Sequence, residues 1–326
     1  MTDQNAITLP FRKILVTGGA GFLGGFVARE LENLNANFFV ARRADFDLTK
    51  ESDAIRLLET VRPDLVIHLA AAVGGIGEMR ESQGRFFYDN LLMGALLMEQ
   101  ARRFGTAKFI TIGSVSAYPK SAPVPFCEAD LWNGYPEETT AAYGIAKKML
   151  LVQGQSYRAQ YNFNAIHLLL TNLYGENDNF DLSTAQVVPA LIRKCVSAKQ
   201  HEAKFIEVWG TGGATREFLY AADAAQAIVR AAAFYNEPDP VNIGTGIETK
   251  IKDLIEMIAA TVDFSGEIRW DASKPDGPPR RCLNVSRARE KFGFTAQTSL
   301  ATGLRRTIRW YQNQIVGGAP ESATFN

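Results

Sequence analysis

The sequence is poor in the residues that build disulfides and metal sites. Its 326 residues include three cysteines and three histidines. Cys127, Cys195 and Cys282 are odd in number, far apart and without ligand-like spacing, so free thiols in a reducing compartment are expected. His68, His167 and His201 stand equally isolated, and no metal site is expected. Net charge is missing as well. The 35 basic side chains balance 35 acidic ones, which leaves no basic field for nucleic acid or an anionic membrane. No apolar run approaches the ~20 residues that span a bilayer. The opening MTDQNAITLPFRK is polar where a secretory signal would be apolar, and a cytoplasmic protein is expected. What remains is an ordinary globular composition, 46% hydrophobic and 21% charged, in a chain long enough for one large core or two smaller ones.

Short apolar runs alternate with helical patterns through the first half. The strand candidates are KILVTG (13–18), NFFVAR (37–42), DLVIHLA (64–70), KFITIGS (108–114) and NAIHLLLTN (164–172). Between them FLGGFVARELENL, ESDAIRLLETV, YDNLLMGALLMEQARRF and AAYGIAKKMLLVQGQSYRAQ carry apolar residues at helical spacing. Strands apolar almost throughout belong to a sheet covered on both faces, so the fold class is α/β, a Rossmann-type doubly wound parallel sheet. After Tyr174 the rhythm loosens into a polar loop, a helix near 187–197, strand signals in FIEVWGTGG, TREFLYAAD and VNIGTG, and a Pro/Gly loop KPDGPPRR. The expected division is a dinucleotide domain at 10–175 plus about 217–246, and a smaller irregular α/β substrate domain at about 176–216 plus 247–315. A closing helix near 300–314 and a mobile tail at 316–326 follow.

KILVTGGAGFLGG sets Gly18, Gly21 and Gly24 after an apolar strand and at the start of a helix, with Phe22 and Leu23 between the last two. A pyrophosphate needs that arrangement: a tight turn, close backbone approach, close helix–strand packing and free N–H groups at the helix start. The second strand ends in Arg42 and Arg43, where an NAD site usually offers a carboxylate to the ribose 2′-hydroxyl. Two arginines suit a 2′-phosphate, so NADPH is favoured. Asp45 and Asp47, followed by Leu48, keep NADH open, and solvated arginines at a strand end are the bland alternative.

Tyr143 and Lys147 lie four apart on a helical pattern and share one face. A tyrosine hydroxyl titrates near 10 and is a poor acid–base group at neutral pH, whereas a neighbouring ammonium lowers it toward the working range. Ser114 closes the strand KFITIGS, at the carboxyl end of the sheet where such folds bind ligands, and can hydrogen-bond the reacting oxygen. A Tyr and Lys four apart are common by themselves. The order glycine loop, strand-end Ser, then Tyr-x-x-x-Lys is what gives them meaning.

With these motifs the chain resembles the extended short-chain dehydrogenase/reductase family over about residues 11–315. HLAAAVGGIG, TNLYGENDNF, VWGTGGATREFLYAAD, NIGTG and KPDGPPRR resemble in particular the GDP-L-fucose synthases, NADPH-dependent 3,5-epimerase/4-reductases of GDP-4-keto-6-deoxymannose. The resemblance implies that Leu69, Ala70, Ala71, Asn90 and Ile112 border the cofactor. Asn172 and Leu173 would bridge cofactor and substrate. Arg193, Val208, Trp209, Arg216, Arg280 and Arg281 would hold the base and diphosphate. Arginines suit a diphosphate and Trp209 offers a stacking face, with core packing as its alternative. Family members resembling this chain pair two helices into a dimer, and the apolar faces of Leu91, Leu92, Leu96, Leu97, Met149 and Leu150 imply the same here. Packing within the domain is the competing explanation.

The chain departs from that family at two positions. A Gly-Ser-Ser-Cys-type stretch reads Gly113-Ser114-Val115-Ser116 here, and a Ser-His-Val stretch reads Ala185-Gln186-Val187. In the family, the Cys and His exchange protons beside the 4-ketone. A serine hydroxyl does not ionise usefully near pH 7 and a glutamine amide cannot trade protons. Epimerisation is therefore expected to be lost or weak. Ser116, Gln186 and Val187 would instead contact the sugar, and Ser114, Tyr143 and Lys147 would keep the hydride chemistry. Three other readings stay open: a bifunctional enzyme with a substitute acid–base pair, an NAD-dependent sugar-nucleotide 4-epimerase, and a catalytically silent NADP(H) sensor. A 4,6-dehydratase fits less well, because Val115 and Ser116 occupy the place of its Asp-Glu pair.

Overall fold

The computed structural model describes residues 7–274 and 276–316. Its first half alternates strand and helix. In order these are β1 (Ile14–Thr17), α1 (Phe22–Asn33), β2 (Phe38–Ala41), α2 (Glu51–Val61), β3 (Leu65–His68), α3 (Ile76–Glu81), α4 (Gln83–Arg103), β4 (Lys108–Ser114), α5 (Ala141–Tyr161) and β5 (Ala165–Leu170). The chain then runs through β6 (Asn172–Tyr174), α6 (Val187–Gln200), β7 (Phe205–Trp209), β8 (Thr215–Tyr220), α7 (Ala221–Phe234) and β9 (Val241–Ile243). It closes with β10 (Glu248–Lys250), α8 (Ile251–Val262), β11 (Glu267–Asp271), β12 (Arg280–Arg281), α9 (Ser286–Phe292) and α10 (Leu300–Val316).

Six strands form one parallel sheet in the order β2-β1-β3-β4-β5-β9. Alternate residues of each strand serve opposite faces. Ile14, Val16, Leu65, Ile67, Ile110 and Ile112 join the core that holds α1 and α7. Leu15, Val66, Phe109 and Ala165 join the other, with Leu57 of α2, Leu97 of α4 and Leu150 of α5. Burial on both faces explains why these strands read as unbroken apolar runs.

The predicted strand 164–172 is interrupted at Thr171. Its N–H donates to the Ile243 carbonyl at 3.2 Å and its hydroxyl to the Glu217 carbonyl, so β6 leaves the large sheet to pair with β8. β8 also pairs with β12 and, antiparallel, with β10, while β7 and β11 form a separate parallel pair. The Pro/Gly loop thus ends in a short strand. Helices α7 and α8 give no stop or start signal in the sequence: α7 follows β8 with no intervening loop, and no side chain caps either helix N-terminus. Of the expected tail, residues 317–326 lie outside the described residues. Among the described residues no helix is long and apolar enough to cross a membrane, and no group of three or more His, Cys, Asp or Glu could hold a metal.

Candidate active site

The glycine loop occupies the carboxyl ends of β1 and β3. Gly18 has φ +68°, and a Cβ there would stand 2.6 Å from the Ala70 nitrogen. At Gly24 a Cβ would meet the Gly19 Cα at 2.5 Å, so helix α1 can pack this close only without side chains. Gly21 is the N-cap of α1 and no side chain caps the first turn. Arg42 and Arg43 are exposed beyond β2. A backbone cradle with no room for Cβ atoms, a helix N-terminus and two exposed arginines fit a dinucleotide bearing a 2′-phosphate. Leu69, Ala70 and Ala71 line the adjoining loop after β3, and Phe22 and Leu23 are half-buried behind the glycines.

Other residues expected at the cofactor are already engaged. The Asn90 amide accepts the Ala72 N–H at 3.1 Å and donates to the carbonyls of Ala72 and Phe86 at 2.8 and 2.7 Å, so it acts on this site by shaping the loop. Leu48 and Ile112 turn their side chains into the two cores, leaving only backbone to offer. Asp47 accepts the Thr49 hydroxyl at 2.7 Å through Oδ1 at the entrance to α2, and its Oδ2 pairs with Lys50 at 3.3 Å.

A glycine lets the turn that follows Ser114 lie against the helix that carries Tyr143. A Cβ on Gly144 would lie 2.8 Å from the Ser116 carbonyl carbon and 3.1 Å from the Ala117 Cα, so the 115–117 turn rests directly on α5. Ser114 Oγ accepts the Ser116 N–H at 3.2 Å, which leaves its proton free to donate. Lys147 Nζ stands 6.0 Å from the Tyr143 ring centroid. Burial holds the Lys147 ammonium down at about 8 and pushes the Tyr143 phenol up to about 12. Burial is the cause of the raised phenol, and the expected lowering by Lys147 does not stand beside it. The consequence is chemical: at neutral pH Tyr143 is a protonated donor, the form that a ketone reduction consumes.

The expected substrate residues form a second cluster. Arg216 and Arg281 are register partners on β8 and β12. Burial lowers both guanidinium groups, Arg216 to about 10, where the Arg281 charge adds to the burial. Arg216 is not idle: it donates to the carbonyls of Pro278 and Asp276, at 2.6 and 3.2 Å, and so shapes the 276–279 loop. The Asp276 carboxylate ties that loop to Thr211, taking its N–H and hydroxyl at 2.7 Å each. Trp209, two residues earlier, is 60% exposed with Lys274 Nζ 5.5 Å from its ring, which rules out core packing. Val208 is buried behind it. Arg280 pairs with Glu248 and faces solvent, apart from the buried arginines. Arg193 donates to the Phe180 carbonyl at 3.1 Å. Gln186 donates to the Gly74 carbonyl at 2.9 Å, and Gly75 N–H to the Thr184 carbonyl at 2.8 Å, so the segment before Val187 is latched to the loop after β3. Asn172 donates to the Glu217 carbonyl at 2.9 Å, and Leu173 follows it on β6, half-buried.

A family model described as the NAD dependent epimerase/dehydratase family matches residues 14–244. The chain belongs to this family. Within it, the chain is 38% identical to a GDP-L-fucose synthase of Sinorhizobium fredii (strain NBRC 101917 / NGR234), over 93% of this chain and 96% of that protein. A solved GDP-6-OMe-4-keto-L-xylo-heptose reductase from C. jejuni superposes with TM-score 0.89 at 27% identity, covering 95% of this chain and 100% of that one. MlghC, a GDP-mannoheptose C4 reductase from Campylobacter jejuni with NADP bound, superposes with TM-score 0.84 at 27% identity, covering 92% and 98%. The resemblance read from the motifs is borne out: this is a nicotinamide-dependent oxidoreductase of the extended short-chain type, in the branch of GDP-sugar synthases and reductases.

Sequence reasoning missed several groups. Lys194 donates to the Glu207 carbonyl at 2.8 Å, next to Val208 and Trp209; its only signal was standing beside Arg193. Glu217 is fully buried and accepts the N–H groups of Thr245, Gly246 and Leu283 at 2.5, 2.7 and 2.8 Å, fixing the chain that carries Arg281. His68 and His167, isolated in sequence, stand in one row of the sheet.

Proposed function

We propose that the chain is an NADPH-dependent 4-ketoreductase of a GDP-linked 4-keto sugar and that it does not epimerise the ring. One observation carries this reading. The two positions where proton exchange at the flanking carbons would be expected hold Ser116 and Gln186, and the Gln186 amide is already bonded to the Gly74 carbonyl. Neither side chain can act as a base near pH 7. The similarity to two C4-type reductases, one of them with NADP bound, supports it.

The exposed Arg42 and Arg43 favour the 2′-phosphate of NADPH over NADH. Arg216 and Arg281 take the diphosphate, and Trp209 stacks on the base. Ser114 and Tyr143 face the C4 oxygen. Tyr143 gives that oxygen its proton, and Lys147 offsets the charge left on the phenolate. The bound nicotinamide supplies the hydride. The six-stranded sheet with its helices forms the cofactor lobe in this reading; β7, β10, β11 and β12 belong to the sugar-nucleotide lobe, and β6 and β8 continue the cofactor lobe to meet it. Two copies pair through the half-buried faces of α4 and α5; Leu97 and Leu150 are not part of that surface, because each is consumed inside its own chain.

The bifunctional reading has one observation in its favour. Burial pushes the Asp178 carboxyl up to about 7, in the loop that leads to Gln186. Its Oδ2 is enclosed, however, and so out of reach of a sugar ring. The test is a gain of function. Ser116→Cys with Gln186→His should introduce solvent deuterium at C3 or C5 of GDP-4-keto-6-deoxymannose, where the unaltered protein introduces none. Deuterium introduced equally by the unaltered protein and by its Asp178→Asn variant would refute both this reading and the Asp178 alternative.

A further inference from the structure

Four polar side chains form a buried row across the sheet beneath the catalytic helix. Backbone register aligns Thr17 of β1 with His68 of β3, His68 with Thr111 of β4, and Thr111 with His167 of β5. Each lies two residues beyond Leu15, Val66, Phe109 or Ala165, so all four share the face covered by α4 and α5. None is more than 2% exposed. Hydroxyls and imidazoles pair along the row: Thr17 Oγ1 is 2.8 Å from His68 Nδ1, and Thr111 Oγ1 is 2.7 Å from His167 Nδ1. The Thr111 hydroxyl donates its own proton to the Ile166 carbonyl at 3.2 Å, so it accepts from His167 Nδ1–H and the lone pair of His167 Nε2 is bare. Neither Nε2 atom has a partner among the described residues.

Lys147 reaches this face from α5. It is 1% exposed, and no described residue accepts a hydrogen bond from its ammonium. Burial first, and the Lys147 charge second, hold both imidazoles down at about 3, so they are neutral at any working pH. A neighbouring ammonium also favours the tautomer that turns a lone pair, not an N–H, toward it. Among the described residues, the further titratable group recorded against Lys147 is Tyr143 on its own helix. Lys148 donates to the Leu131 carbonyl instead, and on β4 Lys108 is bound to carbonyls of α7 and the residue after it. On α4, Asp89 pairs with Arg85, and Glu99 with Arg102 and Arg103. Gly113 makes the geometry possible. A Cβ there would stand 3.0 Å from His167 Cε1 and closer still to Nε2, so the imidazole lies over the residue that immediately precedes Ser114.

We propose that His68 and His167 are positioning residues for Lys147: their Nε2 atoms hold ordered water beneath the lysine, and that water accepts a hydrogen bond from the ammonium. Matching positions two strands apart are about 9.6 Å from each other, so each Nε2 holds a water of its own. Each water donates to its imidazole and accepts from Nζ, and no proton changes hands. The arrangement keeps Lys147 charged despite burial and leaves its third N–H for the ribose or the phenolate. The inference rests on the role given to Lys147 above, but its test needs neither substrate nor turnover.

The test is an NMR titration of the cofactor-free protein labelled with 13Cε-lysine, with Lys147 assigned by loss of its signal in Lys147→Met. Asparagine in place of histidine keeps a polar atom near Nδ1 and deletes Nε2, whereas glutamine restores an acceptor at the Nε2 position. The His68→Asn/His167→Asn protein should lower the Lys147 pKa by about one unit, tenfold in the ratio of ammonium to amine. The corresponding double glutamine protein should return it near the wild-type value. Ring-15N spectra of the unaltered protein should show both imidazoles neutral with bare Nε2 from pH 8 to 5. A folded asparagine variant with the Lys147 titration unmoved overturns the proposal, even if its melting temperature falls, since that would mark a purely structural row. Should the variants fail to fold, an Nε2-protonated tautomer in the unaltered protein overturns it alone.

Discussion

Replacing Gly144 by alanine sets two effects of opposite sign against each other. Gly144 lies inside α5, where alanine is favoured by about 1 kcal/mol over glycine. Its Cβ, however, would meet the Ser116 carbonyl carbon at 2.8 Å and the Ala117 Cα at 3.1 Å, both backbone atoms that cannot rotate away. An ordinary contact begins near 3.4 Å, so the 115–117 turn must retreat by about 0.6 Å, and more where the carbonyl oxygen approaches. Ser114 and Ser116 ride on that turn, whereas Tyr143 and Lys147 stay with the helix. A misplacement of about 1 Å among reacting groups costs ~100-fold in rate. The retreat here should therefore cost about 10- to 100-fold in kcat, or ~1.4–2.7 kcal/mol. The assay follows NADPH oxidation with GDP-4-keto-6-deoxymannose, beside a thermal melt and a KM for NADPH. A melting temperature within a few degrees of wild type, an unchanged KM for NADPH and the stated fall in kcat are expected. A kcat within twofold of wild type would refute the reasoning that Gly144 sets the distance between Ser114 and Tyr143.

Other consequences can be measured with the same protein. Arg42→Ala/Arg43→Ala should weaken NADPH by about 10- to 100-fold, the ~1.5–3 kcal/mol of a hydrogen bond to a charged group, and leave NADH within threefold. Titration calorimetry with both nucleotides would show it, and equal losses for the two would contradict a 2′-phosphate site. Arg216→Gln should raise the Kd for GDP and flatten its dependence on salt, with Arg281→Gln acting the same way; a variant of either kind that binds GDP normally would remove that arginine from the diphosphate site. Lys147 is held down at about 8 and Tyr143 up at about 12, so both are protonated below pH 8. The rate of reduction should be level at neutral pH and fall as pH rises through about 8 and the ammonium is lost. A profile that climbs with pH would mean that a deprotonated tyrosine is the working form.

What was legible in the sequence is chemistry confined to a short stretch of chain. The glycine loop needs strand, turn and helix in immediate succession, and Tyr143 and Lys147 share a helix face by spacing alone. The large sheet was readable because burial on both faces leaves continuous apolar strands. The row Thr17–His68–Thr111–His167 was not, because only backbone register brings together residues from four strands. Asn90 and Arg216 show a different limit: a polar side chain in a motif can hold up the loop around a ligand instead of pointing only at the ligand. Leu48 and Ile112 sit in the expected stretches with their side chains turned into the core, which the alternation of buried positions decides and the motif does not. Trp209 could be core or platform until its exposure was seen. Helix α7 went unread because it follows β8 without a loop and without a capping side chain.

The most direct measurement is incubation with NADPH and GDP-4-keto-6-deoxymannose in D₂O, following NADPH absorbance and analysing the product by mass and NMR. Oxidation of NADPH with no deuterium at C3 or C5 is the predicted result, that of a 4-ketoreductase whose Ser116 and Gln186 move no protons. Deuterium at either carbon would contradict the account and mean that an acid–base pair survives on the ring.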